Sequence, residues 1–272
     1  MREIGIKELK KVQMDILLSV HKFCQSYNIS YSLACGTMLG AARHKGYIPW
    51  DDDIDIYILR KEYETFTKNF PSILDNKYIF LCLENNSKWH FPFGKVCDTT
   101  TVLQESGNEG NYGVNIDIFP IDNVPEDKQK WEKYDKTRRT LVRLYDKRLW
   151  CGKIPKYNKA LSFPLNLKQF LRWGLLSIFS IRFYAKCVSC FAQRYNDKET
   201  SMVFENVQGI FQKHPFHKKL FSKTVLMPFE EYEFMAFSNY DEYLTNGFGD
   251  WRKLPPKEKQ VSHHVFKAWW KS

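Results

Sequence analysis

At 272 residues, 43% of them hydrophobic and 26% charged, the chain has the make-up of a soluble globular protein able to bury a sizeable core. Its 41 Lys and Arg against 31 Asp and Glu give a formal charge of +10, which suits a polyanion, an anionic membrane surface or a phosphorylated substrate. No zinc-finger spacing or other nucleic-acid signature is present, so nucleic acid is the least favoured partner. No apolar stretch reaches the roughly 18 residues needed to span a bilayer.

In chain order, Met1 to Cys24 alternates charged and apolar residues, an amphipathic helix rather than a signal peptide. Over Glu8 to Tyr27 the apolar positions Val12, Ile16, Leu17, Val20 and Phe23 fall at helical spacing. Ile29 to Cys35 reads as a short buried strand, Gly36-Thr37 as a turn, and Met38 to Arg43 as a second helical piece. In the loop that follows, Pro49 blocks helix and Gly46 permits an unusual backbone angle. Asp53 to Leu59 has strand periodicity, Lys61 to Asn69 is helical, and Tyr78–Leu83, Phe93–Asp98, Thr101–Gln104 and Val114–Phe119 are further strand candidates. Lys128 to Leu149 is a charged helix and Leu165 to Tyr195 another helical stretch. The closing third mixes short elements, with a turn at NGFGDW and a final aromatic segment, VFKAWW.

The expected fold class is therefore α/β (α+β), a mixed sheet flanked by helices. A soft boundary near Pro125 divides a mixed α/β core, 1–125, from a mainly helical region, 126–272, packed on the core. The seven cysteines are odd in number and scattered, which implies reduced thiols and a cytoplasmic setting. Cys187 and Cys190 form a lone CxxC in a helical pattern, read as helix packing.

The chemistry concentrates in CGTMLGAARHKGYIPWDDDIDIYI, residues 35–58. Alternate strand residues share a face, so Asp51, Asp53 and Asp55 align if the strand begins early enough, with Ile54 and Ile56 turned to the core. Clustered carboxylates repel unless a cation sits among them, and oxygen-only ligands suit Mg²⁺ or Mn²⁺. Val114 to Ile118 repeats the pattern around Asp117. Set beside the first strand, it supplies a third carboxylate, enough for two metals about 3.5–4 Å apart. Gly36 and Thr37 open a helix whose first N–H groups favour an anion, so a donor phosphate could rest there, neutralised further by Arg43, Lys45 or Lys95. For Lys95 an exposed strand position is the alternative. Asp51, Asp53, Asp55 and Glu62 also match calcium-loop positions, but Ile56 occupies the place that needs Gly.

GTMLGAARHKGYIPWDDDID resembles the signature of the LicD family of phosphocholine transferases, related to the fukutin group and a branch of the nucleotidyltransferase superfamily. The resemblance extends through NIDIFPIDNVP to FGDWRKLPP. It implies a nucleotidyltransferase-like catalytic core over 1–125, with Gly36 and Thr37 at the donor phosphate, and a contribution of 126–272 to acceptor binding. It also implies Asp53 and Asp55 as paired metal ligands, and Asp117 as third carboxylate and general base. Asp51 and Asp52 belong to the same motif, with Asp51 a further metal candidate. Asp250 lies in the matched FGDW segment, and KEKQ after LPP, with Lys259, departs from the Arg expected there.

The implied reaction moves phosphocholine from CDP-choline to a hydroxyl of a cell-surface glycan precursor (teichoic acid, lipopolysaccharide or capsule) and releases CMP. Trp89, Tyr112, Tyr47 and Trp251 are candidates for an aromatic box around the quaternary ammonium, with core or rim packing as the alternative for each. The stretch from Leu167 to Phe191 places Lys168, Arg172, Arg182 and Lys186 around an apolar centre. It reads either as an interfacial helix at the inner membrane face, suited to a lipid-linked acceptor, or as a core helix. Alternatives are another CDP-borne group (phosphoethanolamine, glycerol phosphate, a phosphonate), a scaffold that has lost catalysis, or a nucleotide-sugar glycosyltransferase. The last would leave Gly36-Thr37 and Asp117 without a purpose.

Overall fold

In the computed structural model, which describes residues 1–70, 77–105, 112–150, 163–208, 212–261 and 266–271, a short strand β1 (Arg2–Ile4) leads into α1 (Ile6–Ser26). The stripe Val12, Ile16, Leu17, Val20 and Phe23 is buried, so the helical periodicity of the sequence is the face that packs. After β2 (Tyr31–Leu33) and α2 (Cys35–His44) come β3 (Asp55–Leu59), α3 (Arg60–Asn69), β4 (Tyr78–Leu81), β5 (Gly94–Asp98), β6 (Thr101–Glu105) and β7 (Asn115–Asn123). The later chain forms α4 (Lys128–Trp150), α5 (Phe163–Ser177), α6 (Ile181–Ala192), β8 (Met202–Glu205), β9 (Phe216–His217), β10 (Thr224–Phe229), β11 (Tyr232–Phe237), α7 (Tyr240–Phe248) and β12 (Phe266–Trp270). The fold is α/β, as expected.

The principal sheet has the order β2-β3-β7-β5-β4, with β8 and then β9 added along β7. Of its pairings only β3 with β7 is parallel. β7 carries β5 against its first residues and β8 against its last, which is why it runs four residues beyond the expected end at Phe119. A three-stranded sheet joins β1, β12 and β6, and β10 and β11 form a ribbon. Strands from beyond Pro125 thus complete sheets begun before it. One core cluster runs from Ile4 to Ala268, with a small satellite of Val124, Tyr134 and Phe204.

Several boundaries depart from the periodicity, each for a local reason. Thr37 Oγ1 takes the backbone N–H of Asp55 (2.9 Å), so β3 starts at Asp55 and Asp51–Asp53 precede it as irregular chain. Gly36 and Thr37 lie inside α2, whose first N–H, that of Cys35, is taken by Tyr243 Oη (2.9 Å). The positive φ near the end of α2 belongs to Lys45 (60°), not to Gly46. Gly46 is needed for space instead, since a Cβ there would stand 2.3 Å from Glu230 Oε1. Residues 165–195 form two helices because Ser180 restarts the chain as an N-cap, accepting from Phe183 N at 3.2 Å, and the helices meet at 66°. In NGFGDW the first three residues finish α7, which Gly249 (φ 70°) ends. The six described cysteines are free thiols, Cys187 and Cys190 among them.

Candidate active site

Pairing across three strands sets the site. Asp55 on β3 is the register partner of Asp117 on β7, and Asp117 is the register partner of Lys95 on β5. Register partners on neighbouring strands project to the same face, so the three side chains stand in a row. Lys95 Nζ donates to Asp117 Oδ1 (2.6 Å) and to Asn115 Oδ1 (3.2 Å). Lys95 is 6% exposed, and Phe91 and Phe93 flank its ammonium at 5.4 and 5.7 Å from their ring centroids. It is a buried partner of Asp117, not an exposed strand residue.

Asp51, Asp52 and Asp53 arrive from the irregular segment before β3, and their carboxylate oxygens lie within 4.8 Å of one another. The Asp51 carboxylate sits against the first turn of α2. A Cβ on Gly36 would stand 2.4 Å from Asp51 Oδ2, so a side chain there would displace that carboxylate. Burial, then the charges of Asp53, Asp117 and Asp51, push the Asp55 carboxyl well above the usual range, and Lys95 only partly opposes them. This is the field that a divalent cation relieves, and every donor in the set is a carboxylate oxygen, the ligand type of Mg²⁺ and Mn²⁺. The residues present fit such an ion. Glu62 is elsewhere: on α3 it takes the backbone N–H of Ser30, so Asp51, Asp53, Asp55 and Glu62 do not form a calcium loop.

The structure does not bring every candidate here. Arg43 and Lys45 lie at the far end of α2, roughly 10 and 13 Å of helix rise from Gly36. Arg43 donates to the carbonyls of Trp251 (2.9 Å) and Lys253 (3.4 Å) and to His44 Nε2 (2.9 Å), so it ties the FGDW segment to α2. Lys45 is exposed. The four aromatic candidates divide. Trp89 and Tyr112 pack together at 4.9 Å, while Tyr47 lies on Phe229 (5.0 Å) and Trp251 on Tyr240 (6.2 Å). Trp89, Tyr47 and Trp251 are buried, as core packing requires. Asp250 is exposed, beside Trp251.

The model of the LicD/FKTN/FKRP nucleotidyltransferase domain matches residues 28–175, more than half of the chain and the whole of this site. The chain belongs to the LicD family. The lipopolysaccharide cholinephosphotransferase LicD of Haemophilus influenzae is 32% identical over 275 residues, covering 99% of each chain. Uncharacterised proteins of Rickettsia typhi (34% over 87 residues, 29% of this chain and 28% of that one) and Rickettsia prowazekii (41% over 58 residues, 21% of each) are similar over shorter stretches.

In this LicD-family chain, side chains that the motif reading passed over hold the carboxylates in place. Gln13 of α1, buried, donates to the carbonyls of Asp52 (2.9 Å) and Asn115 (3.4 Å) and accepts from Tyr47 Oη (3.1 Å). Tyr47 therefore supports the site from behind, and Lys10 covers its ring at 4.4 Å. Glu230 accepts the N–H of Tyr47 (2.9 Å) and donates its own to the Lys45 carbonyl (2.8 Å), fixing the loop that leads to Asp51. Asn115 carried a signal in the sequence. It lies two residues before Asp117 in NID, hence on the same strand face. Gln13 carried none, since a polar residue on an amphipathic helix reads as solvent-facing until its neighbours are known.

Proposed function

We propose that the chain transfers phosphocholine from CDP-choline to a hydroxyl of a cell-surface glycan and releases CMP. The observation that carries this reading is the row Asp55, Asp117 and Lys95 beside Asp51, Asp52 and Asp53: six charged groups crowded onto one end of a sheet, in a chain alike over its full length to a lipopolysaccharide cholinephosphotransferase. Asp53, Asp55 and Asp117 would hold one or two Mg²⁺ or Mn²⁺ ions, with Asp51 a fourth ligand. Such ions neutralise charge on the diphosphate and on the departing phosphate oxygen.

The protein's own groups have separable tasks. The first turn of α2 at Gly36 and Thr37 presents a helix N-terminus to the donor phosphates. Asp117 accepts the proton of the attacking hydroxyl, while Lys95 orients its carboxylate through Oδ1. The acceptor oxygen forms a bond to the choline-bearing phosphorus, and the bond from that phosphorus to the bridging oxygen breaks. CMP leaves with the electron pair. Of the four aromatic candidates only Tyr112, half-buried against the core residue Trp89, keeps part of its ring exposed, and it is the best placed for the trimethylammonium. The cytoplasmic face of a membrane, where a cytidine nucleotide donor is at hand, is the setting this reading requires.

The test is CMP release from CDP-choline, CDP-ethanolamine and CDP-glycerol by the purified chain with Mg²⁺ and a glycan acceptor. Choline should lead the panel, and Asp53→Asn and Asp55→Asn should each abolish turnover without unfolding the protein. Preference for another CDP donor would change the cargo and keep the fold's chemistry. Wild-type rates in Asp53→Asn would overturn the site assignment.

A further inference from the structure

We infer that the α5–α6 pair docks on the surface of an anionic lipid bilayer. α5 buries almost nothing: Leu176 is its one buried residue among those described, while Leu167, Phe170, Leu171 and Leu175 are exposed at the i, i+3, i+4, i+8 spacing of a single helical stripe. Ile178 and Phe179 extend the stripe across the bend to α6. Ten of the twenty exposed large apolar residues among the described residues fall within 150–183. Scattered exposed apolar residues need no explanation, but a contiguous run of this size marks an interaction surface.

Charge identifies the occupant. Residues 147–196 contain ten Lys and Arg and no Asp or Glu, so this segment alone accounts for the whole +10 and the remainder of the chain, with 31 of each sign, is formally neutral. On α5, Lys168 and Arg172 are exposed, one turn apart and directly beside the apolar stripe. A second copy of this chain seated on the stripe would bring Lys168 and Arg172 towards the same two cations of its partner. A bilayer rich in anionic headgroups accepts both the rings and the cations.

The pair lies on the membrane rather than across it. α6 buries Ala185, Val188, Ser189 and Ala192 and packs on α4, whose inner face holds Tyr134, Arg138, Val142 and Tyr145, so one arm of the bend is fixed within the protein. No single helix among the described residues is long and apolar enough to cross a membrane. Arg182, at the start of α6, donates to the carbonyls of Leu83 (2.7 Å), Asn86 (2.6 Å) and Trp89 (2.7 Å). That loop leads through Phe91 and Phe93 to Lys95 and Asp117, so the docking element is tied by Arg182 to a wall of the site. Docking rests on α5–α6 alone. That it delivers a lipid-linked acceptor rests on the transfer reading above.

Flotation of the purified chain with vesicles of phosphatidylcholine, with and without phosphatidylglycerol, tests the docking without any substrate, so a failed transfer assay cannot be mistaken for a failed dock. Binding is expected on the phosphatidylglycerol vesicles and should weaken with salt. It should fall roughly tenfold or more in Lys168→Glu/Arg172→Glu and in Leu175→Glu/Phe179→Glu, both of which should keep the wild-type melting temperature because the replaced side chains are exposed. Absence of flotation on either vesicle overturns the proposal, as does equal binding to both that ignores Lys168→Glu/Arg172→Glu. A dimer in sedimentation that dissociates in Leu175→Glu/Phe179→Glu, without vesicle binding, would assign the face to a second copy instead.

Discussion

Asp55 and Asp117 stand side by side across the parallel junction of β3 and β7, and the carboxyl of Asp55 is buried among the charges of Asp53, Asp117 and Asp51. The arrangement is unfavourable to the empty protein. Each unit by which a folded-state pKa departs from its unfolded value is worth about 1.4 kcal/mol, and that of Asp55 is raised well above 3.8.

The sign of that shift makes the stability of the protein depend on pH. As pH rises above about 4 the unfolded chain releases the Asp55 proton while the folded chain retains it, so stability declines with rising pH until the folded-state carboxyl ionises. Asp55→Asn removes this liability. Stripped of divalent ions with a chelator, the variant should be more stable than wild type at neutral pH. The gap should close towards pH 4, read by urea unfolding across the pH range. Added Mg²⁺ should stabilise wild type and leave the variant nearly unchanged. A variant less stable than wild type at pH 7 without metal would show that Asp55 is not electrostatically crowded.

Thr37 acts on the same carboxylate through the backbone. Its hydroxyl oxygen accepts the N–H of Asp55 where the ladder of β3 begins, in a position 2% exposed. Thr37→Val keeps the shape and orphans a buried donor, which costs about 1–3 kcal/mol. Thr37→Ser restores the acceptor and should recover most of both stability and turnover. Equal melting temperatures for the Val and Ser variants would remove this role.

Much of the site was legible because strand parity and motif spacing are local. Asp117 and Asn115 sit two apart and face one way; Asp117 and Asp122, five apart, face opposite ways, and Asp122 is indeed spent on a buried pair with Arg60. The α1 stripe was equally plain. What stayed hidden depends on partners distant in sequence. Arg43 looks like a phosphate ligand until the carbonyls of Trp251 and Lys253 arrive from more than 200 residues away. Gln13 looks exposed until β7 and the Asp52 loop close over it, and Tyr47 and Trp251 look like a binding box until each is packed into the core.

Lys95 admits a direct discrimination. As a positioning residue for Asp117, its replacement by Met should lower kcat by about 100-fold with little change in KM for the donor, the penalty of a misplaced catalytic group. Lys95→Arg should fail to rescue, because the ammonium is enclosed by Phe91 and Phe93 and a guanidinium is wider. A rise in donor KM with unchanged kcat would instead make it a phosphate ligand. Steady-state kinetics with CDP-choline separates the two.

Arg60 and Asp122 join α3 to β7 behind the site through a two-pronged pair, Nε to Oδ1 at 2.7 Å and Nη2 to Oδ2 at 2.9 Å, with Asn196 donating to Oδ1 at 2.7 Å. Both partners are buried, so deleting one strands the other charge without water. Asp122→Ala should cost about 3–5 kcal/mol, and Arg60→Met a comparable amount. The double variant should be less damaged than the sum of the two, because no uncompensated charge remains in it. A double-mutant cycle by chemical unfolding measures the coupling. Additive losses would mean that the pair contributes packing alone.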